Sequence, residues 1–221
     1  MYSTPHIALL TTPSIWAYNL YLFLEHLRNQ SALLTSAQTS PVALTGLLFA
    51  FSTVYLIRHL GVSYVMLLSM IFFAVGALLL ATMPLHQTYW AQTFVSVLIM
   101  PGAMNLSYPA ANMLMSMALP KEKQGVAASL VSTLVNYSIS AGLGFAGSID
   151  RYTTEAEADR RGIDVEDRSM WTTDTRAVEV RLLGLRSSLW FAAGLGGLGM
   201  CIAGAFVVVV ERRKRAEARR T

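Results

Sequence analysis

The chain has 221 residues, of which 54% are hydrophobic and only 14% are charged, whereas a typical soluble domain carries about 25% charged residues. Of its 30 charged residues, 24 lie in the two segments 150–186 and 211–221. The remaining sequence has too few charges to cover a soluble fold. The composition therefore indicates a multi-pass integral membrane protein and excludes a soluble enzyme, a nucleic-acid-binding module and a disordered chain.

A transmembrane helix needs about 20 consecutive apolar residues. Six segments meet this length, and they lack the alternation of a membrane β-barrel strand. We therefore predict an all-α integral membrane fold with six transmembrane helices, at 6–27, 38–57, 62–82, 90–119, 126–149 and 187–210.

Basic residues predict the orientation of these spans. The tail 211–221 holds six of them, and a tail on the cytoplasmic side places Lys121, Lys123 and Arg58 there as well. The short connections on the other side contain only Arg28. The positive-inside rule therefore predicts cytoplasmic termini, with the tail facing anionic lipid.

The sequence divides at its polar segments. Residues 1–149 hold spans one to five, 187–210 form span six, and 211–221 form the basic cytoplasmic tail. The segment 150–186 carries nine acidic and seven basic residues. Its acids lack the spacing of a calcium loop, so we predict a solvated extracellular loop that is partly disordered.

Two glycine runs match the dinucleotide-binding pattern, but neither follows a strand as that motif requires. Both lie inside predicted spans, where small residues let two helix backbones approach closely. We interpret them as helix-packing residues: Gly142, Gly144 and Gly147 in span five, and Gly194, Gly196 and Gly199 in span six.

Span one carries an amide near its middle and a carboxyl towards its end. Asn19 is a candidate for the substrate path. Glu25 is the only acid in the first 121 residues, and an acid in a membrane span is a functional candidate. The favoured alternative is that Glu25 pairs with Arg28 at the i, i+3 spacing.

Span four combines two prolines with polar side chains. Proline bends a helix and frees a backbone carbonyl, which needs another partner in lipid. The bend at Pro101 could open a midplane cavity or serve packing, and the sequence favours neither. The candidate path residues on this span are Asn105, Tyr108 and Asn112.

Span five carries a polar stripe at helical spacing. A polar stripe on a membrane helix faces protein or water rather than lipid. Contact with a neighbouring helix is the favoured interpretation and contact with substrate is the alternative. The stripe comprises Ser129, Thr133, Asn136 and Ser140, and Asn136 is the path candidate.

Three stretches resemble the C-terminal half of a major facilitator superfamily transporter. They are Ser40–Gly46, the span-four sequence from Tyr89 through Pro101-Gly102 to Asn112, and Lys123–Leu130 with the Thr133, Asn136, Gly142 and Gly144 that follow. The similarity is greatest to the fungal drug:proton antiporters of the fourteen-span branch, which include the aminotriazole-resistance-like proteins.

The resemblance implies one six-helix half of a major facilitator fold. Spans one, two, four and five would line the path, and a second six-span half or a complementary chain would complete it. Asn105 stands where relatives often have an acid, so the resemblance does not assign proton coupling to that position.

These observations predict the C-terminal half of a secondary-active transporter in the plasma membrane, exporting small organic molecules or drugs in exchange for protons. The alternative is a non-transporting membrane fragment or assembly partner. We expect the lipid bilayer and a small organic substrate as partners, no nucleic acid, and no metal or cofactor. The sequence contains no P-loop, so ATP would not be used directly.

Overall fold

The computed structural model describes residues 4–118, 120, 124–163 and 174–218, and every regular element in them is helical. This confirms the predicted all-α class. In chain order the elements are α1 (Thr4–Leu22), a π-helical turn (Phe23–Leu27), α2 (Ala32–Thr39), α3 (Pro41–Leu60), α4 (Val62–Ala81), α5 (Gln92–Ala118), α6 (Gln124–Arg161) and α7 (Thr175–Ala218).

Five helical segments are long and apolar enough to cross a membrane. They cover 32–60, 62–81, 92–117, 124–161 and 175–212. The predicted span 6–27 folds as α1 and the π-helical turn, and these are not among the five segments. α1 contacts α4, α5, α6 and α7, so it belongs to the same bundle.

Local sequence signals account for several helix ends. The Ser31 hydroxyl accepts a hydrogen bond from the Leu34 amide at 3.3 Å and caps the start of α2. Pro41 occupies the first turn of α3, where its missing amide proton costs nothing. Gly61 adopts a φ of +86° between α3 and α4, a conformation that suits glycine.

The helix α4 lies at the centre of the bundle, between α5 and α7. α6 packs against α7 and α1, while α3 lies outside along α5 and leaves most of its surface exposed. The core is formed by large apolar side chains from the π-helical turn, α4, α5 and α7, including Phe23, Met70, Phe73, Leu106 and Leu189.

The two glycine runs behave differently. A Cβ on Gly196 of α7 would lie 3.1 Å from the Ala74 backbone of α4, and one on Gly199 would lie 2.9 Å from the Met70 sulfur. Gly196 and Gly199 therefore permit the close contact between α4 and α7, as predicted, whereas Gly194 of the same run meets no atom within 4 Å. Gly144 and Gly147 of α6 meet no atom within 4 Å, so the packing interpretation is wrong for them within the described structure.

The segment 150–186 is largely a helical hairpin rather than a loop. α6 continues to Arg161 and α7 begins at Thr175, so each extends about 18 Å beyond its predicted span end at 1.5 Å per residue. An ion pair of 2.8 Å joins Asp150 to Arg181 across the hairpin. The loop prediction is wrong here because it treated the charges as solvated and overlooked their helical and cross-helix pairing.

Small side chains allow the two arms of the hairpin to approach. Ala158 of α6 and Ala177 and Val180 of α7 are buried. Arg161 adds exposed ion pairs of 2.9 Å to Glu157 and Glu179. The centre of the predicted loop (164–173), together with Leu119, Lys121, Lys123 and 219–221, lies outside the described residues.

Candidate functional site

Two of the predicted path residues meet α6 at a polar contact. The Tyr108 hydroxyl lies 3.2 Å from the Ser132 hydroxyl of α6. One turn along α5, the Asn112 amide donates to the Tyr108 carbonyl oxygen at 3.1 Å. Tyr108 remains 42% exposed, so this contact lies at an open edge between α5 and α6.

The polar stripe predicted on span five lies on α6, and we name it the α6 stripe. All four of its residues, Ser129, Thr133, Asn136 and Ser140, are exposed. Three of its hydroxyl groups donate hydrogen bonds to backbone carbonyl oxygens of their own helix: Ser129 to Val126, Thr133 to Ser129 and Ser140 to Asn136. The favoured interpretation, contact with a neighbouring helix, is therefore not realised within the described part of the chain.

Asn136 differs from the hydroxyl residues of the stripe. Its side-chain amide is exposed and makes no hydrogen bond within the described part of the chain. An amide left without a partner in hydrocarbon costs about 2–7 kcal/mol on transfer scales. The face around Asn136 therefore needs water, a ligand or another polar protein surface.

Asn105 lies in the contact between α5 and α3 rather than in an open cavity. Its amide donates to the Pro101 carbonyl at 2.9 Å and faces Gly46 of α3. Pro109 cannot bond to the carbonyl of Asn105, four residues earlier. The Thr53 hydroxyl of α3 lies 3.1 Å from that freed oxygen and 2.7 Å from the Phe49 carbonyl of its own helix. Its one proton is therefore shared between the two oxygens, and Thr53 is a shared partner for the carbonyl that span four was expected to leave free.

The region around the Pro101-Gly102 bend is closely packed. A Cβ on Gly102 would lie 2.8 Å from ring atoms of both Phe49 and Phe72. These two rings stack edge to face, with centroids 5.6 Å apart. The structure therefore favours the packing alternative over a midplane cavity at this bend.

Asn19 is buried between α1 and α7. Its amide donates to the Ile15 carbonyl at 2.8 Å, and its oxygen accepts from the Ser188 hydroxyl at 3.1 Å. Both ends of the amide are thus satisfied inside the bundle. This geometry is that of a helix-packing residue, and a role for Asn19 in transport stays a prediction.

A second buried polar link was not predicted from the sequence. The Trp16 indole of α1 donates to the Ser96 hydroxyl of α5 at 2.7 Å. Ser96 in turn donates to the Gly76 carbonyl of α4 at 3.0 Å. The three residues are up to 80 positions apart, and no spacing rule connects them.

The expected pair between Glu25 and Arg28 does not form. Glu25 lies in the π-helical turn and is partly buried. Arg28 instead donates to the carbonyl oxygens of Leu85 at 3.2 Å and Gln87 at 2.6 Å. A π-helical turn has i→i+5 bonds, so the i, i+3 neighbours of an α-helix no longer share a face.

The structure therefore separates the six candidates into three groups. Tyr108 and Asn112 lie with the α6 stripe along the open edge between α5 and α6. Asn19 and Asn105 lie in contacts between helices, and Glu25 lies at the end of α1. Along this edge the stretches 92–118 of α5 and 126–149 of α6 contain no ionisable acid or base other than tyrosine.

Known proteins similar to this chain are fungal transporters. An MFS-type transporter of Schizosaccharomyces pombe is 46% identical over 86% of this chain and 32% of its own length. The low affinity ammonium transporter of Saccharomyces cerevisiae is 44% identical over 87% of the chain and 33% of its own length. The efflux pump terJ of Aspergillus terreus is 36% identical over 90% of the chain and 34% of its own length.

The chain thus spans about a third of the length of the relatives it matches. The aminotriazole resistance protein of Saccharomyces cerevisiae is also a relative, which agrees with the predicted branch. No protein-family model matches the chain. The helical bundle and the relatives together show a multi-pass integral membrane protein that belongs to the major facilitator superfamily.

Proposed function

We propose that the chain forms the C-terminal half of a secondary-active transporter that exports small organic molecules or drugs in exchange for protons. A second six-span half, in the same protein or in a complementary chain, would cover its open edge. The bilayer surrounds the remaining surface, and no nucleic acid takes part.

The observation that carries this proposal is the α6 stripe with Asn136 at its centre. A polar, uncharged face on a membrane helix is unfavourable against lipid. Because the described residues of the chain leave this face uncovered, a water-filled path or an opposing polar half provides the environment that it needs.

The neighbouring residues of α5 support the same face. Tyr108 and Asn112 supply a phenol and an amide beside Ser132. These groups donate and accept hydrogen bonds without carrying charge. Such a surface suits neutral or weakly charged organic molecules, and two of the relatives, terJ and terG of Aspergillus terreus, are efflux pumps.

Proton coupling is the finer part of the proposal. Within the first 121 residues Glu25 is the only carboxyl group, and the stretches 92–118 and 126–149 along the open edge contain none. Coupling in this half would therefore pass through Glu25 at the end of the bundle, or belong to the second half. A transporter that depends on protons loses its export when the pH gradient is collapsed.

Plasma-membrane residence with cytoplasmic termini completes the proposal. The basic residues of the tail, Arg212 and Arg215 among them, favour the cytoplasmic face. A protease added to intact cells is expected to cut within 150–186 and to spare a C-terminal tag. Cleavage of the tag would contradict this orientation.

The decisive experiment compares two asparagines. In a transporter with the second half supplied, Asn136→Leu is expected to reduce export at least about tenfold, because the path loses an amide. Surface abundance should stay near normal, since the exposed Asn136 amide makes no hydrogen bond within the described part of the chain. Export of a fluorescent drug and surface abundance are measured in the same cells.

Two further variants provide the controls. Asn136→Gln retains the amide and is expected to retain partial export, while Phe145→Leu changes an exposed apolar residue of the same helix and should change nothing. Normal export by Asn136→Leu would remove this residue from the path. No export in the reconstituted, correctly targeted wild type would favour the alternative of a non-transporting fragment or assembly partner.

A further inference from the structure

The ring of Tyr108 bridges the open edge between α5 and α6. The side chain leaves the backbone on α5, and its hydroxyl lies 3.2 Å from the Ser132 hydroxyl of α6. The ring is therefore held at both ends, by its own helix and by a hydrogen bond across the gap. Because Tyr108 is 42% exposed, part of the ring is accessible to a ligand. We name this ring the Tyr108 platform.

Two contacts show that α5 and α6 run antiparallel along this edge. Near the start of α5, the Ser96 hydroxyl donates to a backbone carbonyl of α4 adjacent to Ala77. Ala77 packs in one buried cluster with Ala146 of α6, so Ser96 lies near the level of Ala146. Further along α5, Tyr108 lies at the level of Ser132. As α5 runs from 96 to 108, the facing positions of α6 therefore run back from 146 to 132.

This arrangement places two different side chains on the same side of the Tyr108 platform. Met104 precedes Tyr108 by four residues on α5, and Asn136 follows Ser132 by four residues on α6. Four residues of helix rise about 6 Å and return to the same face. Met104 and Asn136 thus both lie one turn from the platform, towards the same end of the bundle. Met104 is 46% exposed and Asn136 is exposed as well, so a ligand can reach both.

The three groups recognise different parts of one molecule. A tyrosine ring stacks on another aromatic ring or meets it edge to face, and the methionine thioether makes favourable contacts with ring edges. The Asn136 amide donates and accepts hydrogen bonds, and it has no partner among the described residues. The stretches 92–118 and 126–149 contain no ionisable group other than tyrosine, so a charged ligand group finds no counter-ion on them.

From this geometry we infer that the transport path takes planar aromatic molecules that carry a neutral amide or a similar hydrogen-bonding group. The aromatic ring stacks on the Tyr108 platform beside Met104, and the neutral group bonds to Asn136. This substrate class rests on the proposed function and narrows it, since Tyr108 and Asn136 belong to the same open edge.

Two compounds separate recognition of the ring from recognition of the amide. Naphthalene-2-carboxamide carries a planar aromatic ring system and a primary amide, and its decahydro counterpart carries the same amide on a saturated ring system. Equilibrium binding of each is measured to the transporter with the second half supplied, in nanodiscs, and binding to empty nanodiscs is subtracted. The aromatic compound is expected to bind about fivefold tighter, because a well-placed pair of rings contributes affinity beyond its buried area.

Four variants assign the contacts. Tyr108→Leu is expected to abolish the preference for the aromatic compound, whereas Tyr108→Phe keeps the ring and is expected to keep most of the preference. Asn136→Leu should weaken both compounds about fivefold and leave their ratio unchanged, because both carry the amide. Tyr152→Leu removes an exposed tyrosine of the hairpin and should change neither compound. If Tyr108→Leu fails to fold, Met104→Leu decides, with an expected loss of about twofold in the preference.

The inference is overturned if the wild type binds the two compounds equally, if Tyr108→Leu, or Met104→Leu in its place, keeps the full preference, or if Tyr152→Leu removes it. Export of a fluorescent drug by the same reconstituted protein separates this result from the proposed function. Normal export without the aromatic preference overturns the substrate class alone. The aromatic preference without export supports the Tyr108 platform and contradicts the proposed export, and the absence of both overturns both.

Discussion

The same residue type has different surroundings on the two sides of this bundle. Asn19 of α1 lies on the packed side, where Ile15 and Ser188 satisfy both ends of its amide. Asn136 of α6 lies on the open side and makes no hydrogen bond within the described structure. An asparagine in a membrane span is therefore a packing residue or a path candidate according to its neighbours, not its identity.

The largest loss of stability is expected at the ion pair between Asp150 and Arg181. Arg181→Met leaves the Asp150 carboxylate, whose side chain is only 9% exposed, without its partner at 2.8 Å. Removing one member of a buried ion pair costs about 3–5 kcal/mol. Thermal and denaturant unfolding in detergent measure the loss of stability.

The matched variant is Arg151→Met on the open side of the same hairpin. Its ion pair with Glu155 is exposed, so the free energy of unfolding is expected to fall by only about 0–1 kcal/mol. Equal losses in the two variants would show that the hairpin contact is not buried in the folded protein.

A smaller effect is expected from crowding at the hairpin contact. A Cβ on Gly184 would lie 2.8 Å from the Asp150 carbonyl oxygen, which is backbone and cannot rotate away. Gly184→Ala is therefore expected to destabilise the fold by about 1–3 kcal/mol. Gly194→Ala, on the same helix but with no atom within 4 Å, should be neutral or stabilise by about 0.5–1 kcal/mol. Unfolding measurements that reverse this order would contradict the packing of α6 on α7.

The smallest effect concerns the bend of α5. Thr53→Val removes the hydroxyl that bonds the Asn105 carbonyl freed by Pro109. Hydrogen bonds between membrane helices contribute about 0.6 kcal/mol on average and at most about 1.7, so a loss of this size is expected. Thr45→Val removes a hydroxyl that bonds only its own helix, and its unfolding free energy should change less. A larger effect for Thr45→Val would indicate that Thr53 does not serve the bend.

The sequence predicted the helical spans well because apolar length alone specifies them. Three of the six predicted spans fall within helices long and apolar enough to cross a membrane, two match such helices to within two residues at each end, and the first folds as α1 with the π-helical turn. It predicted the need for a partner at the span-four prolines, since a proline always frees a carbonyl. It could not identify Thr53, 52 residues away, as that partner.

The prediction of a loop at 150–186 was wrong for a related reason. Composition counts charges but does not reveal that Asp150 and Arg181 pair across two helices. It likewise predicted a Glu25–Arg28 pair from α-helical spacing, whereas the π-helical turn places these side chains apart.

By itself, then, the sequence determined the membrane class, the helical spans and the major facilitator resemblance, because these follow from local hydropathy and from short motifs. Only the tertiary structure decided which polar residues are buried, paired or exposed. That decision depends on which helix faces lie together, and contacts such as Asn19 with Ser188 join residues 169 positions apart. The contacts of Arg28 with Leu85 and Gln87 depend on the tertiary structure as well, because they join the end of α1 to the connection between α4 and α5.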